Sequence, residues 1–327
     1  MKVLSLKAAG PVGNFELTDL AQPSVTDGHL LIEVHACSVN QIDIKIRQGL
    51  PIGPVLPSAI GCDMAGVVIE VGANVKGFKA GDEVYGCVAG VKGLGGTMSE
   101  YIVADAKLVA HKPKNIGMKQ AASLPLVAIT AWEGIARSQL AKGEQILVHG
   151  GMGGVGHIAI QLAASLGAIV STTVHKTRDD GFLKSIGVSN IIDAGTTSVD
   201  EYKKTATQNN GFDAVFDTVG GTNLDKSFEA IGLNGRVVAI AARSTHDLSP
   251  LHAKGAALQV VFMLLPMLFG NGREQHGKIL SELTTLVEAG KVKPLVDDKD
   301  FSLQEGGAAH AYLESGQAVG KVVISVR

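Results

Sequence analysis

The 327-residue chain has no basic excess. Its 29 Lys and Arg stand against 31 Asp and Glu, and neither this balance nor any basic run points to a nucleic-acid partner. Cysteine is scarce: Cys37, Cys62 and Cys87 form no CxxC pair, and an odd number cannot all be joined in disulfides, so a reducing compartment fits best. The longest apolar run, 258 to 270, is too short to span a bilayer and contains Pro266. The opening residues MKVLSLKAAG lack the apolar core of a secretory signal and read directly as a strand. No histidine spacing of the HExxH kind occurs. These absences lead to the expectation of a soluble cytoplasmic protein with no integral membrane segment. Its length suits two domains, each able to bury a core.

What is present is concentrated in residues 145 to 164, QILVHGGMGGVGHIAIQLAA. A β-branched apolar run enters a glycine cluster, and apolar residues then recur at helical spacing through Val155, Ile158, Ala159 and Leu162, which predicts strand, tight turn and helix. Gly151, Gly153 and Gly156 fit GxGxxG, with one glycine for the bend, one for close approach of a pyrophosphate and one for packing helix on strand. The free amides at the helix start, around Gly154 and Val155, then face phosphates. A purely structural glycine turn is the alternative; the flanking strand and helix favour a dinucleotide site.

The rest of the chain falls into two rhythms. From 1 to 121 short extended pieces such as 29 to 36, 64 to 71, 83 to 87 and 100 to 104 alternate with Gly, Pro, Asn and Asp turns, predicting a barrel-like, mostly-β domain with one short helix over 42 to 48. From 122 to 266 a helical stretch (126 to 137) leads into strand-like runs beginning near 146, 169, 190, 212, 235 and 258, roughly 22 residues apart, which leaves room for a helix in each crossover. The α/β reading is a doubly wound, six-stranded parallel sheet. From 267 to 327 the pattern gives a helix (274 to 289), a short strand near Pro294, another helix (304 to 314) and a final strand (321 to 325), a tail expected to return to the first domain.

The second strand of the sheet ends in His175, Lys176, Thr177 and Arg178, with no acid to accept a ribose 2′-hydroxyl; Asp179 and Asp180 come only afterwards. Lys176 and Arg178 suit a 2′-phosphate, so the cofactor expected is NADP(H); an exposed, solvated basic turn is the other reading.

The strings VNQIDIKIRQG (39 to 49), IGCDMAGVVIEVG (60 to 72), GDEVYG (81 to 86), AASLPLVAITAWEG (121 to 134) and FDTVGG (216 to 221) occur in that order around the glycine turn. In order and spacing the chain resembles the medium-chain dehydrogenase/reductase superfamily, alcohol dehydrogenase-like proteins with a GroES-like catalytic domain and a Rossmann domain, and most of all its zinc-free quinone oxidoreductase and enone reductase branch. Zinc members of that family bind the metal through a Cys three residues before the Asp of the first string, a His of the second and a thiolate in the fourth. Those places here hold Asn40, Cys62 and Leu126, and the four-cysteine structural zinc lobe is absent as well. One possible ligand of three makes no tetrahedral site, so no metal is expected and Cys62 reads as a small buried hydrophobe; a cryptic site of Cys62, Asp63 and a histidine is the minor alternative.

Without zinc to generate an alkoxide, simple alcohols are poor substrates, whereas a quinone or an α,β-unsaturated carbonyl needs only a donor or cation beside the oxygen that gains charge. The resemblance places the Asn-x-x-Asp run close to the nicotinamide and implies catalytic parts for Lys45, as the stabilising cation, and for Asn40 as its assistant. The plain alternatives are a solvated helix lysine and a helix N-cap. Asp43 reads as orienting its loop, and Tyr85 as pocket lining or packing. By the same resemblance Thr130, Ala241 and Phe262 approach the nicotinamide end, and Val219 and Gly220 the adenosine side. The function expected is an NADPH-dependent, zinc-independent reductase of quinones or enones; the alternatives are an alcohol dehydrogenase-like carbonyl reductase and an NADPH-binding protein with a structural or sensing role. The apolar stretch 258 to 269 fits a dimer surface, a pocket wall or a membrane-peripheral patch, and pocket wall with the edge of a homodimer is the favoured reading.

Overall fold

The computed structural model describes every residue except 176 to 178. The chain forms two compact units: Met1–Leu126 with Leu264–Gly290 and Pro294–Arg327, and Val127–Met263 with Lys291–Lys293.

In the first unit, strand propensity between turn residues yields β1 (Lys2–Leu6), β2 (Phe15–Asp19), β3 (His29–Val39), β4 (Ser58–Ala59), β5 (Asp63–Val71), β6 (Glu83–Cys87), β7 (Tyr101–Asp105) and β8 (Val109–His111). Two short helices accompany them, α1 (Gln41–Arg47) and α2 (Met118–Ala122). The expected helix over 42 to 48 is therefore present, starting one residue earlier.

From α3 (Pro125–Ser138) the pattern alternates. The strands β9 (Gln145–His149), β10 (Ile169–Val174), β11 (Val188–Asp193), β12 (Phe212–Asp217), β13 (Ile231–Ala239) and β14 (Ala257–Val260) are separated by α4 (Gly154–Ser165), α5 (Asp180–Ser185), α6 (Val199–Thr207), α7 (Asn223–Ala230) and α8 (Ser249–Lys254). All six strands are parallel, in the order β11-β10-β9-β12-β13-β14, which is the doubly wound arrangement expected. The central strand shows why an unbroken apolar run was needed: Ile146, Leu147 and Val148 have no exposed surface, because a central parallel strand is covered on both faces. At one edge β14 is largely exposed, with Val260 47 % accessible.

The chain then returns to the first unit through α9 (Leu265–Phe269), α10 (Arg273–Glu288), β15 (Phe301–Ser302), α11 (Gly306–Glu314) and β16 (Val322–Ser325). β16 lies antiparallel to β3, pairing Val322 with Val39 and Ser325 with Ala36, so the tail completes the first sheet. That sheet runs β15-β16-β3-β5-β6-β8 with β7 also on β3, and a smaller one runs β2-β1-β4. Register shifts between Leu31 and Ile32 and between Val34 and Ala36 bend β3, as a curved sheet requires. The strand expected near Pro294 is reduced to one bridge between Val296 and Lys321, consistent with a proline that offers no N–H to a ladder.

His310 on α11 is fully buried, stacks at 5.1 Å on Phe15, and has no hydrogen-bond partner on either ring nitrogen among the described residues. Burial, helped by the nearby Arg47 guanidinium, pushes its pKa down to about 3. The unfolded chain therefore takes up this proton first, near pH 6.5, and stability that is intact above that pH is lost as pH falls toward 3. Urea unfolding at pH 7.5 and pH 5 should show a loss that His310→Phe reduces by about 2 kcal/mol; equal losses in both proteins would remove His310 from the account.

Candidate active site

In the second unit the buried strand β9 delivers the chain to Gly150, whose φ of +76° turns it sharply. The amides of Gly150 and Gly151 donate to the Thr173 carbonyl at 3.1 and 3.0 Å, and Thr173 Oγ1 lies 3.0 Å from His149 Nδ1, so β10 holds the turn from one side. His149 is buried and pushed down to about 4 by desolvation, so it is neutral at physiological pH. Gly153 then heads α4 with no side-chain cap, and the amides of Gly154, Val155 and Gly156 precede the helical ladder. A Cβ on Gly156 would run into the Gly150 carbonyl, so only glycine lets the helix start this close to the turn. The left-handed bend thus belongs to Gly150 rather than to Gly151, whose missing Cβ instead makes room for the Thr172 side chain of β10. Backbone N–H groups at the start of a helix, reached through a turn of glycines, suit a phosphate.

The neighbouring loop is shaped by one carboxylate. Asp217, with no exposed surface, accepts from the amides of Val219 (2.8 Å) and Gly220 (2.7 Å) on one oxygen. Its other oxygen accepts from Asn223 Nδ2 (2.9 Å) and Ser227 Oγ (2.7 Å). Thr218 Oγ1 donates to the His149 carbonyl at 2.6 Å, and a Cβ on Gly220 would meet the backbone of Ala241. The glycine turn, Val219, Gly220 and Ala241 are therefore assembled at the carboxyl ends of β9, β12 and β13, where ligands of such sheets bind. Phe262 lies two residues beyond β14 and is 39 % exposed; Thr130 is buried on α3, one turn before Gly134, which packs on the Phe216 ring of β12. Lys176 and Arg178 lie outside the described residues.

In the first unit the side chains of the 39 to 49 string converge on Asp63. Asn40 heads α1 in an extended conformation, but its side chain does not cap the helix. Its Nδ2 donates to Asp63 Oδ2 (2.9 Å), and its Oδ1 accepts from Lys321 Nζ (2.5 Å). Lys321 also donates to the Val39 carbonyl (2.9 Å) and stands 3.8 Å from Asp63 Oδ2. Asp63 further accepts from Ser38 Oγ (3.0 Å) and from the Leu126 amide (2.9 Å). Asp43 accepts from the Asn40 amide (2.8 Å) and from the Cys62 thiol (3.2 Å), the orienting part expected of it. Asn40, Cys62 and Leu126, the three places that zinc relatives give to metal ligands, thus surround a pair of buried carboxylates. Among the described residues no group of three or more His, Cys, Asp or Glu side chains is arranged to hold a metal ion.

Burial raises the pKa of Asp63, opposed chiefly by the Lys321 ammonium, and raises Asp43 to about 6, opposed by the Asn40 amide. It lowers Lys321, which the two carboxylates counter. Lys45, by contrast, is exposed on α1, and its ammonium has no hydrogen-bond or ion-pair partner among the described residues. Tyr85 is fully buried and donates to the Leu280 carbonyl at 2.7 Å, which makes it an anchor for α10 and not a pocket wall. Sequence reading missed Lys321, Ser38 and Asp217. A lysine abutting an apolar VVI strand and acids inside apolar runs were the available signals, since charges are rarely buried unpaired. Replacing Lys321 with Met should leave Asp63 as an unpaired buried charge and cost about 3–5 kcal/mol in urea unfolding, part of it restored by adding Asp63→Asn; a single variant as stable as the parent would refute the pairing.

Two family models match the chain, the alcohol dehydrogenase GroES-like domain over residues 26–114 and zinc-binding dehydrogenase over residues 186–324. The 2-methylene-furan-3-one reductase of Solanum lycopersicum is 35 % identical over 99 % of this chain and 79 % of its own length. Among solved structures, an alcohol dehydrogenase superfamily protein from Novosphingobium aromaticivorans superposes with a TM-score of 0.94 at 39 % identity, covering all of both chains. The quinone oxidoreductase of Escherichia coli, solved in complex with NADPH, superposes with a TM-score of 0.88 at 26 % identity, again over both whole chains. With its two matched domains, its parallel sheet order and its glycine turn, the chain belongs to the medium-chain dehydrogenase/reductase superfamily, among the alcohol dehydrogenase-like quinone oxidoreductases and enone reductases.

Proposed function

We propose that this protein is an NADPH-dependent, zinc-independent reductase of α,β-unsaturated carbonyls or quinones. The observation that carries the reading is the glycine turn, where three first-turn amides stand ahead of the helical ladder and Gly156 brings the helix start against the Gly150 carbonyl, a cradle for a pyrophosphate. Gly151, Gly153, Gly154, Val155 and Gly156 hold the phosphates; Val219 and Gly220 line the adenosine side, and Thr130, Ala241 and Phe262 the nicotinamide end. Lys176 and Arg178 pair with the 2′-phosphate, which a guanidinium can hold by two parallel bonds. When bound, the cofactor supplies a hydride.

The protein's own task is to stabilise the charge that appears on the substrate oxygen. Lys45 is suited to it, being a cation that no carboxylate among the described residues neutralises. Asn40 assists with the amide hydrogen that Asp63 does not use, and its own position is held by Lys321. Zinc has no part, because Asn40 and Leu126 stand where two of its three ligands would be needed. The exposed outer edge of β14, with Leu258 and Val260, is covered in a homodimer by the same strand of a second copy. The three buried, unpaired cysteines suit a cytoplasmic setting.

NADPH oxidation should be observed with enones or quinones and should exceed that with NADH; binding without turnover on any member of such a panel would make the protein a cofactor-binding module instead. Lys45→Met should lower kcat on an enone about 10- to 100-fold with NADPH affinity intact, and unchanged kcat and KM would discard its catalytic part. Arg178→Ala should weaken NADPH but not NADH. Elemental analysis of purified, active protein should find zinc far below one equivalent, while stoichiometric zinc retained in active protein would overturn the metal-free reading.

A further inference from the structure

The second unit carries a constellation that the reductase chemistry leaves unused. Beyond β13 the loop 240 to 248 brings Ser244 and His246 together, with Ser244 Oγ 2.6 Å from His246 Nε2. On the other side of the ring, His246 Nδ1 lies 2.7 Å from Oδ1 of Asp225, which belongs to the first turn of α7. The carboxylate can only accept, so Nδ1 carries a proton, and in the tautomer with that proton alone Nε2 accepts from the serine hydroxyl. The imidazole is mostly covered, at 9 % side-chain exposure, and meets the edge of the Phe228 ring at 5.8 Å, so its orientation is held by packing as well as by Asp225. Asp247 does not compete for the ring: its Oδ1 accepts from the amide and hydroxyl of Ser249 at the start of α8. Ser244 itself is exposed. The amides of Ser244 and Thr245 donate to no described residue.

A hydroxyl bonded to an imidazole that a carboxylate orients is the arrangement that activates a serine nucleophile. We propose that Ser244, His246 and Asp225 form an acyl-transfer site that hydrolyses small activated carboxylic esters, an activity separate from hydride transfer. Ser244 Oγ attacks the ester carbonyl carbon while its proton passes to His246 Nε2, and the free amides of Ser244 and Thr245 donate to the oxyanion. The bond to the alcohol oxygen breaks as His246 returns the proton to it, leaving an acyl-serine. Water, deprotonated by the same imidazole, then attacks the acyl carbon and releases the carboxylic acid and free Ser244. No oxidant, metal or nucleotide enters the balance. Asp225 acts through the ring and is a positioning residue.

The test uses the full chain with para-nitrophenyl acetate as substrate and a fluorophosphonate as trap. Hydrolysis should exceed the uncatalysed rate, and the trap should form one adduct, located by peptide mass spectrometry at Ser244. Ser244→Ala should abolish the adduct and lower the protein-dependent rate at least roughly tenfold. Asp225→Asn should slow trapping at Ser244 while the adduct stays on the same atom, which a merely structural role for Asp225 would not do. Because groups of one catalytic unit are not additive, Ser244→Ala combined with His246→Ala should be no slower than either alone. An adduct on any other residue, no adduct at all, or a Ser244→Ala rate equal to that of the parent would overturn the proposal. The adduct on the unmutated protein decides the matter even if a variant folds poorly. NADPH-dependent enone reduction, measured in parallel, reports on the reductase reading separately.

Discussion

The first unit is closed by one buried cation. Lys321 arrives at the end of the chain, just before β16, and places its ammonium against Asn40, the Val39 carbonyl and Asp63, all of them buried. Desolvation of an isolated carboxylate at zero exposure would be prohibitive, and the ammonium together with three donated hydrogen bonds makes it tolerable. Asp63 collects those bonds from the end of β3, the head of α1 and the start of α3. The geometry of α1, and with it the station of Lys45, therefore depends on a charge supplied by the opposite end of the chain.

The second unit uses the same device in another place. Asp217, at the end of β12, is buried and accepts four hydrogen bonds that define the turn 217 to 220. Fully satisfied polar clusters of this kind are rigid, because any displaced member leaves a partner unpaired in a low-dielectric setting. What Asp217 holds in place is the wall beside the glycine turn, where Thr218 ties the loop to the end of β9 and Gly220 rests on Ala241. Rigid loops at the carboxyl ends of the strands, with bare backbone amides among them, are what a dinucleotide site requires. The loop after β13 sets Ser244 against His246, and the first turn of α7 sets Asp225 against the other side of that ring.

Much of this was legible in the residues. The six β-α steps were visible because a parallel strand covered on both faces must be an unbroken apolar run, and each crossover needs a helix's length of sequence. The glycine turn was visible because only glycine tolerates its contacts, though Gly150 rather than Gly151 takes the left-handed bend. Asn40 and Tyr85 were harder. An asparagine before a helix reads as a cap, but a stronger partner, the Asp63–Lys321 pair, claims its side chain. An aromatic on a strand reads equally as lining or packing until its hydroxyl finds the Leu280 carbonyl.

The sequence by itself determined the class of fold, the place of the glycine turn between strand and helix and the lack of zinc donors at Asn40 and Leu126, since each is written in periodicity, turn chemistry or residue type within a short window. Only the tertiary structure decided which charges meet. Lys321 and Asn40 are 281 residues apart, and His246 and Asp225 are 21 apart, one in a loop and the other on α7. Such pairs depend on which strands and helices become neighbours, and no local pattern encodes the partner: a lysine before one strand and an aspartate before another look alike wherever the fold later puts them.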